Sequence, residues 1–160
     1  MRDPSYDYLL VGGGLQSALL ALALAKEQPG AKVALIEREA KLGGNHTWCF
    51  HGGDIPPDGR ELVEPLVVQQ WSRYSVHFNG YQRTVESPYA VTTSARLDAV
   101  VSELSHRHPS LTLFLGANVN AIEAGSIKLS SGLQLRAPVV VDSRGPQASA
   151  LEVPCGYQKF

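Results

Sequence analysis

Tyr6-Asp7-Tyr8-Leu9-Leu10-Val11-Gly12-Gly13-Gly14-Leu15-Gln16-Ser17-Ala18 is the stretch from which the fold is read. Its first half is rich in β-forming residues, and its apolar end, Leu9–Val11, predicts a strand buried on both faces. After the three glycines, Leu15 to Glu27 is dominated by Leu and Ala and predicts a helix, which Pro29-Gly30 stops. Lys32-Val33-Ala34-Leu35-Ile36-Glu37 predicts a second buried strand. Strand, helix and strand within about thirty residues make a βαβ unit, with parallel strands and a right-handed crossover. The glycines also break the apolar run too early for a membrane span of roughly 20 residues. Asp3 and Asp7 outweigh Arg2 where a secretory signal needs positive charge.

A glycine-rich turn between a buried strand and a helix is where a dinucleotide binds. The first glycine makes the tight turn, and the second lets backbone approach a pyrophosphate. The helix N-terminus offers unpaired N–H groups and a positive dipole end. Gly12, Gly13, Gly14 and Leu15 are therefore candidate cofactor residues. Ser17, followed by Ala18, takes the place of the third glycine, and both are small enough for close helix–strand packing. Glu37, at the end of the second strand, stands where an acid accepts hydrogen bonds from an adenosine ribose, which favours FAD or NAD over NADP. Arg38 beside it is a group that accommodates a 2′-phosphate. A plain βα turn with a surface Glu is the bland alternative. Gly43 and Gly44 allow backbone to run close to a flavin dinucleotide, with Asn45 and His46 next to them; His46 also reads as a loop histidine bonded to backbone. His46 and His51 lack Cys or carboxylate partners at ligand spacing, so no metal is expected. Asp142-Ser143-Arg144-Gly145 follows the last predicted strand, so this loop should face the same crevice, with Asp142 and Gly145 as candidate cofactor residues, although Asp and Gly are also ordinary turn residues.

Elsewhere, residues 38–62 are loop-rich. Val76–Phe78 and Tyr81–Val85 flank Asn79-Gly80, which predicts a hairpin with a type I′ turn. Thr93 or Ser94 caps a helix to about Arg107, with Leu97, Val100, Val101 and Leu104 on one face. Leu111–Leu115 predicts a strand, Val119–Ile122, Ile127–Leu129 and Leu133–Leu135 a short antiparallel meander, and Val139–Val141 a last buried strand. The fold class is thus α/β: a Rossmann-like FAD-binding domain over 1–50 and 94–145, with parallel sheet and β-meander. An inserted loop and hairpin segment occupies 51–93 and starts a substrate-facing insertion, and 146–160 is expected to start a truncated substrate domain. Trp48, Phe50, Trp71, Tyr74, Phe78, Tyr81 and Tyr89 either line an apolar pocket or form core.

Composition sets the bounds. The chain has 160 residues, 44% hydrophobic and 18% charged, with 14 Lys and Arg against 15 Asp and Glu. That is ordinary for one globular domain, and the near-neutral balance gives no reason to expect nucleic acid. Cys49 and Cys155 are not in a CxxC pair, which fits a reducing, cytoplasmic compartment.

Tyr6–Leu15, Gly43-Gly44-Asn45-His46-Thr47-Trp48-Cys49-Phe50-His51, Pro65-Leu66-Val67-Val68 and Asp142–Gly145 together resemble the flavoprotein type of bacterial lycopene β-cyclase, with Ser17-Ala18 a departure from that family's pattern. The resemblance covers essentially the whole chain and corresponds to the N-terminal portion of a family member. It implies closure of lycopene ends to β-ionone rings, giving β-carotene. The reaction moves no net electrons, yet it uses reduced FAD, with NADPH as reductant. It further implies an acidic proton donor in a segment beyond Phe160, a carotenoid substrate, and peripheral contact with the inner membrane. Two other readings stay open: a FAD-dependent oxidoreductase such as an aromatic hydroxylase, and a catalytically inert nucleotide-binding fragment.

Overall fold

The computed structural model describes residues 4–145. The first βαβ unit forms as the pattern predicts: β1 (Tyr8–Val11), α1 (Leu15–Glu27) and β2 (Val33–Ile36). After β2 come β3 (Thr47–His51), the single turn α2 (Arg60–Val63), β4 (Gln69–Trp71), the pair β5 (Tyr74–Phe78) and β6 (Tyr81–Val85), and β7 (Tyr89–Thr93). Then follow α3 (Ser94–Arg107), β8 (Leu111–Phe114), the meander β9 (Val119–Glu123), β10 (Ser126–Leu129) and β11 (Gln134–Arg136), and finally β12 (Val139–Asp142).

β1, β2, β8 and β12 form a four-stranded parallel sheet in the order β12-β1-β2-β8, with Leu9 opposite Val140 and Ala34. Successive side chains of a strand point to opposite faces, and the two cores divide accordingly. Leu10 and Leu35 face Ala18 and Ala21 of α1, Leu97 and Val101 of α3, and Leu42 and Leu66. Leu9, Val11, Ala34 and Ile36 face Ile127, Leu129 and Leu135 of the meander. The sheet is thus the middle layer, with helices on one side and the antiparallel strands β11-β10-β9 on the other. Ser17 and Ala18 are fully buried, so the close packing that a third glycine would permit is kept by small side chains. Thr93 caps α3, its hydroxyl accepting the Arg96 N–H at 3.3 Å. Among the described residues no helix is long and apolar enough to cross a membrane.

Four expectations need correction. The Asn79-Gly80 turn is not type I′: Gly80 has φ 77, whereas no non-glycine residue described here has positive φ. One left-handed position, the second of the pair, is the pattern of a type II turn. Val139–Val141 is not a buried strand, because β12 lies at the sheet's edge and Val139 is exposed. The stretch 38–62 is less irregular than its glycines suggest, since it contains β3. Finally, 51–93 holds more than a hairpin: β7 sits between β3 and β4 in a separate antiparallel sheet, with Cys49 opposite Val91 and Gln69 also opposite Val91. The residues from 146 onward, Cys155 included, lie outside the described residues.

Candidate cofactor-binding cleft

The carboxyl ends of the parallel strands open into one cleft of about 550 Å³. This is where α/β sheets hold their ligands. Its floor is the glycine turn. Gly12 has φ 99, and a Cβ there would lie 2.9 Å from the carbonyl carbon of Ser143. The turn is tied on both sides: the Gly12 N–H donates to the Ile36 carbonyl at 2.8 Å, and the Ser143 N–H to the Val11 carbonyl at 2.7 Å. At Gly13 an added Cβ would lie 2.5 Å from Leu42 Cδ2 and 2.9 Å from Glu37 Oε2.

Gly14 is different. Its φ of −78° and ψ of −176° suit any residue, and an added Cβ would meet nothing within 4 Å. Neither backbone nor packing requires glycine there, so what a side chain would fill is the cleft itself. Gly14 is the N-cap of α1, which has no side-chain cap and no acid in its first turn. An uncapped helix start carries unpaired N–H donors and a positive dipole end, the arrangement that receives a phosphate. Arg38 and Arg144 also line the cleft, and Ser143 Oγ in its wall is buried with no hydrogen-bond partner among the described residues. These features fit a dinucleotide.

Glu37 is held firmly. Its Oε2 accepts the Gly13 N–H at 2.6 Å and its Oε1 accepts the Glu39 N–H at 2.9 Å. A carboxylate has about four acceptor positions, so two remain for the hydroxyls of a ribose. The loop after β2 closes the next side. The Gly43 N–H donates to the Gly13 carbonyl at 2.8 Å, and the Leu42 N–H to Asp98 Oδ1 at 2.9 Å. Gly43 has φ 82, and a Cβ on it would lie 2.9 Å from Ser94 at the start of α3. Its glycine is therefore demanded by protein packing. His46 and Trp48, with ring centroids 5.5 Å apart, form the rim.

Of the residues singled out from the sequence, Gly12, Gly13, Gly14, Leu15, Glu37, Arg38, Gly43, Gly44, His46 and Gly145 come together in this cleft. Asn45 is exposed on the loop and does not line it, nor does Asp142. The Asp142 carboxylate is taken by Arg144, whose Nε and Nη2 donate to Oδ1 and Oδ2 at 2.8 and 2.7 Å. That pairing holds the Asp142 carboxyl below its ordinary value. A carboxylate depressed in the folded state contributes stability above its unfolded pKa and loses it as pH falls through the folded one. Arg144→Ala should therefore weaken the protein slightly at neutral pH and flatten the acid limb of its stability curve below about pH 4. With the side chains 32% and 44% exposed, the change should stay under about 1 kcal/mol. Urea titrations at pH 3 to 7 measure it, and identical acid limbs would disprove the coupling.

Sequence reading missed Asp98, Ala117, Asn118 and Val119, whereas Ser143 and Arg144 belong to the loop expected to face this crevice. The strand-end rule was the available signal for 117–119: they follow β8, and the Ala117 N–H donates to the Glu37 carbonyl at 2.9 Å. Asp98 gave no signal, since it reads as the polar face of a helix. Among the described residues no group of three or more His, Cys, Asp or Glu is arranged to hold a metal ion.

The fold is shared with flavin monooxygenases. A probable FAD-dependent monooxygenase, PqsL of Pseudomonas aeruginosa, superposes with a TM-score of 0.65 at 18% identity, over 85% of this chain and 41% of that one. The p-nitrophenol 4-monooxygenase PnpA of Pseudomonas putida DLL-E4 gives 0.65 at 17% identity, over 89% and 42%. Sequence relatives are more specific. A lycopene beta-cyclase of Pantoea ananas is 38% identical over 159 residues, which is 99% of this chain and 40% of the relative. One from Pseudescherichia vulneris is 36% identical over 154 residues, 96% of this chain and 39% of the relative. The chain thus spans about 40% of the length of these curated relatives. The model of the family described as lycopene cyclase protein matches residues 7–160, and the chain belongs to that family.

Proposed function

We propose that the full-length enzyme containing these residues closes the ends of linear lycopene into β-ionone rings, with FAD held in the cleft described above. The 38% identity with a lycopene beta-cyclase, aligned over 99% of the chain, carries the reading. The cleft supports it, because Gly14 leaves open space in front of an uncapped helix start. In this reading the N–H groups at the start of α1 take the diphosphate, and Glu37 takes the adenosine ribose. Gly43, Gly44 and His46 run along the cofactor, and Gly145 and Leu15 complete its surroundings. Arg38, next to Glu37 in sequence, is a group that accommodates a 2′-phosphate, but the Glu37 carboxylate itself disfavours one at this position. When bound and reduced, with NADPH as the reductant, FAD supplies negative charge beside the cation that forms when a polyene end is protonated. These residues bind and orient it, while the proton donor belongs to a later segment. The apolar substrate implies peripheral contact with a bilayer.

Expressing the full-length gene in lycopene-accumulating cells is the decisive test. Conversion of lycopene to a cyclic carotene is expected, with no stoichiometric consumption of NADPH; unchanged lycopene would refute the reading. The shared fold favours one competitor, a FAD-dependent hydroxylase, which would instead consume NADPH and oxygen one for one.

A further inference from the structure

The loop between β2 and β3 is held from outside itself. Gly43 and Gly44 take φ 82 and 58 in succession, and two such glycines give a segment much backbone freedom to lose on ordering. The bonds at its two ends both come from one turn of α3. At the entry, the Leu42 N–H donates to Asp98 Oδ1 at 2.9 Å. At the exit, the Ser94 N–H donates to the His46 carbonyl at 3.0 Å. Ser94 and Asp98 are four residues apart in α3 and so lie on one face of the helix. Between these attachments the Gly43 N–H reaches the Gly13 carbonyl at 2.8 Å. Leu42 is itself buried, in the core shared by α1 and α3.

What the loop fixes is the Gly13–Gly14 peptide. Gly13 is bonded on both sides, its N–H to Glu37 Oε2 at 2.6 Å and its carbonyl to the Gly43 N–H. In a trans peptide the carbonyl and the following N–H point in opposite directions, and no described peptide bond is cis. Gly43 therefore sets the direction of the Gly14 N–H, at the uncapped start of α1. We propose that Asp98 is a positioning residue for the cofactor, holding through the Leu42 amide the loop that orients this donor. The role rests on the reading above, in which the α1 start takes the FAD diphosphate, and adds the residue that presets it. Asp98 does not line the cleft, so it acts through the backbone of the loop. An amide–carboxylate bond is stronger than a neutral one, and removing Asp98 would take the acceptor from an N–H on a residue only 1% exposed, the costly way to lose a hydrogen bond. The packing of α3 does not ask for this bond, since Leu97 and Val101 supply it and both are fully buried. A glycine loop ordered before the ligand arrives spares the ligand that entropy, which is how preorganisation raises affinity.

The experiment strips full-length enzyme of its flavin and titrates it with FAD, beside the variants Asp98→Asn and Asp98→Ala. Alanine suits a helix interior, so both variants should keep the far-UV circular dichroism of the parent. In Asp98→Ala the FAD dissociation constant should rise about thirtyfold, the size of one hydrogen bond to a charged group. Asp98→Asn keeps an acceptor oxygen in place and should stay within about threefold of the parent. Phosphorus NMR of the bound FAD should show the two diphosphate resonances displaced in the Ala enzyme and near their parent positions in the Asn enzyme. A general loss of stability would not move those resonances. Parent-like FAD affinity in Asp98→Ala would overturn the proposal, as would weakened binding with unmoved resonances. An equal loss in both variants would trace the effect to the charge and not to the held amide, and the proposal would fall. Failure of the Ala variant to fold would likewise overturn it, by making Asp98 a residue of the fold alone. Parent enzyme that takes up no FAD would instead defeat the reading of the cleft on which the role rests.

Discussion

Gly14→Val in the full-length enzyme should yield a folded protein without flavin. The backbone at Gly14 sits at φ −78° and ψ −176°, which a β-branched residue adopts without strain, and no protein atom lies within 4 Å of an added Cβ. The fold should lose only about 1 kcal/mol, from a poorer helix N-cap. The two valine methyls, however, project into the space before the α1 N-terminus that a diphosphate must enter. Displacing the anion from those donors forfeits several charge-assisted hydrogen bonds of about 1.5–3 kcal/mol each. Flavin affinity should fall by at least about a thousandfold. Flavin absorbance per mole of protein, with far-UV circular dichroism as the control for folding, decides the matter. A variant with a full complement of flavin would mean that the cofactor does not approach this turn, and the assignment of the cleft would go with it.

Sequence and structure agree best where a residue's type answers to a strong, local physical demand. α1 and α3 were legible from Leu and Ala content, a Thr93 cap and apolar spacing, and both end where predicted, at Glu27 and Arg107. The buried strands β1 and β2 were legible because strands covered on both faces read as continuous apolar runs. In the cleft, Gly12 and Gly43 could be read because positive φ and close backbone approach leave a mark on residue type. By contrast β3, β4 and β7 were hidden. All three residues of β4 are exposed, and β3 pairs with β7 across some forty intervening residues, so neither alternation nor a nearby turn announced them. Asn118 was illegible for a related reason: it reaches the cleft because β8 ends beside β2, which depends on sheet order and not on its own chemistry. The I′ turn failed because Asn-Gly permits two left-handed positions without requiring both, and only Gly80 takes one.

Gly12→Ala should have the opposite signature to Gly14→Val, costing the fold first. At Gly12 the chain has φ 99, where an L side chain costs roughly 1–2 kcal/mol. The new Cβ would also lie 2.9 Å from both the carbon and the oxygen of the Ser143 carbonyl and 3.0 Å from the Arg144 nitrogen. Those atoms cannot retreat cheaply. They are backbone, and the Ser143 N–H is bonded to the Val11 carbonyl at 2.7 Å in the continuation of the β1–β12 pairing. Opening that contact adds the roughly 1–3 kcal/mol typical of overpacking. The total, about 2–5 kcal/mol, is a large share of the 5–15 kcal/mol that holds a domain together. Followed by far-UV circular dichroism on the flavin-free enzyme, the melting temperature should drop by roughly 5 °C or more. Flavin should be lost as a consequence, and added flavin should recover part of the melting temperature, because ligand binding favours the folded state. A Gly12→Ala enzyme that melts with its parent would mean that β12 does not end against the glycine turn. The loop from Asp142 to Gly145 would then have to be removed from the cleft wall.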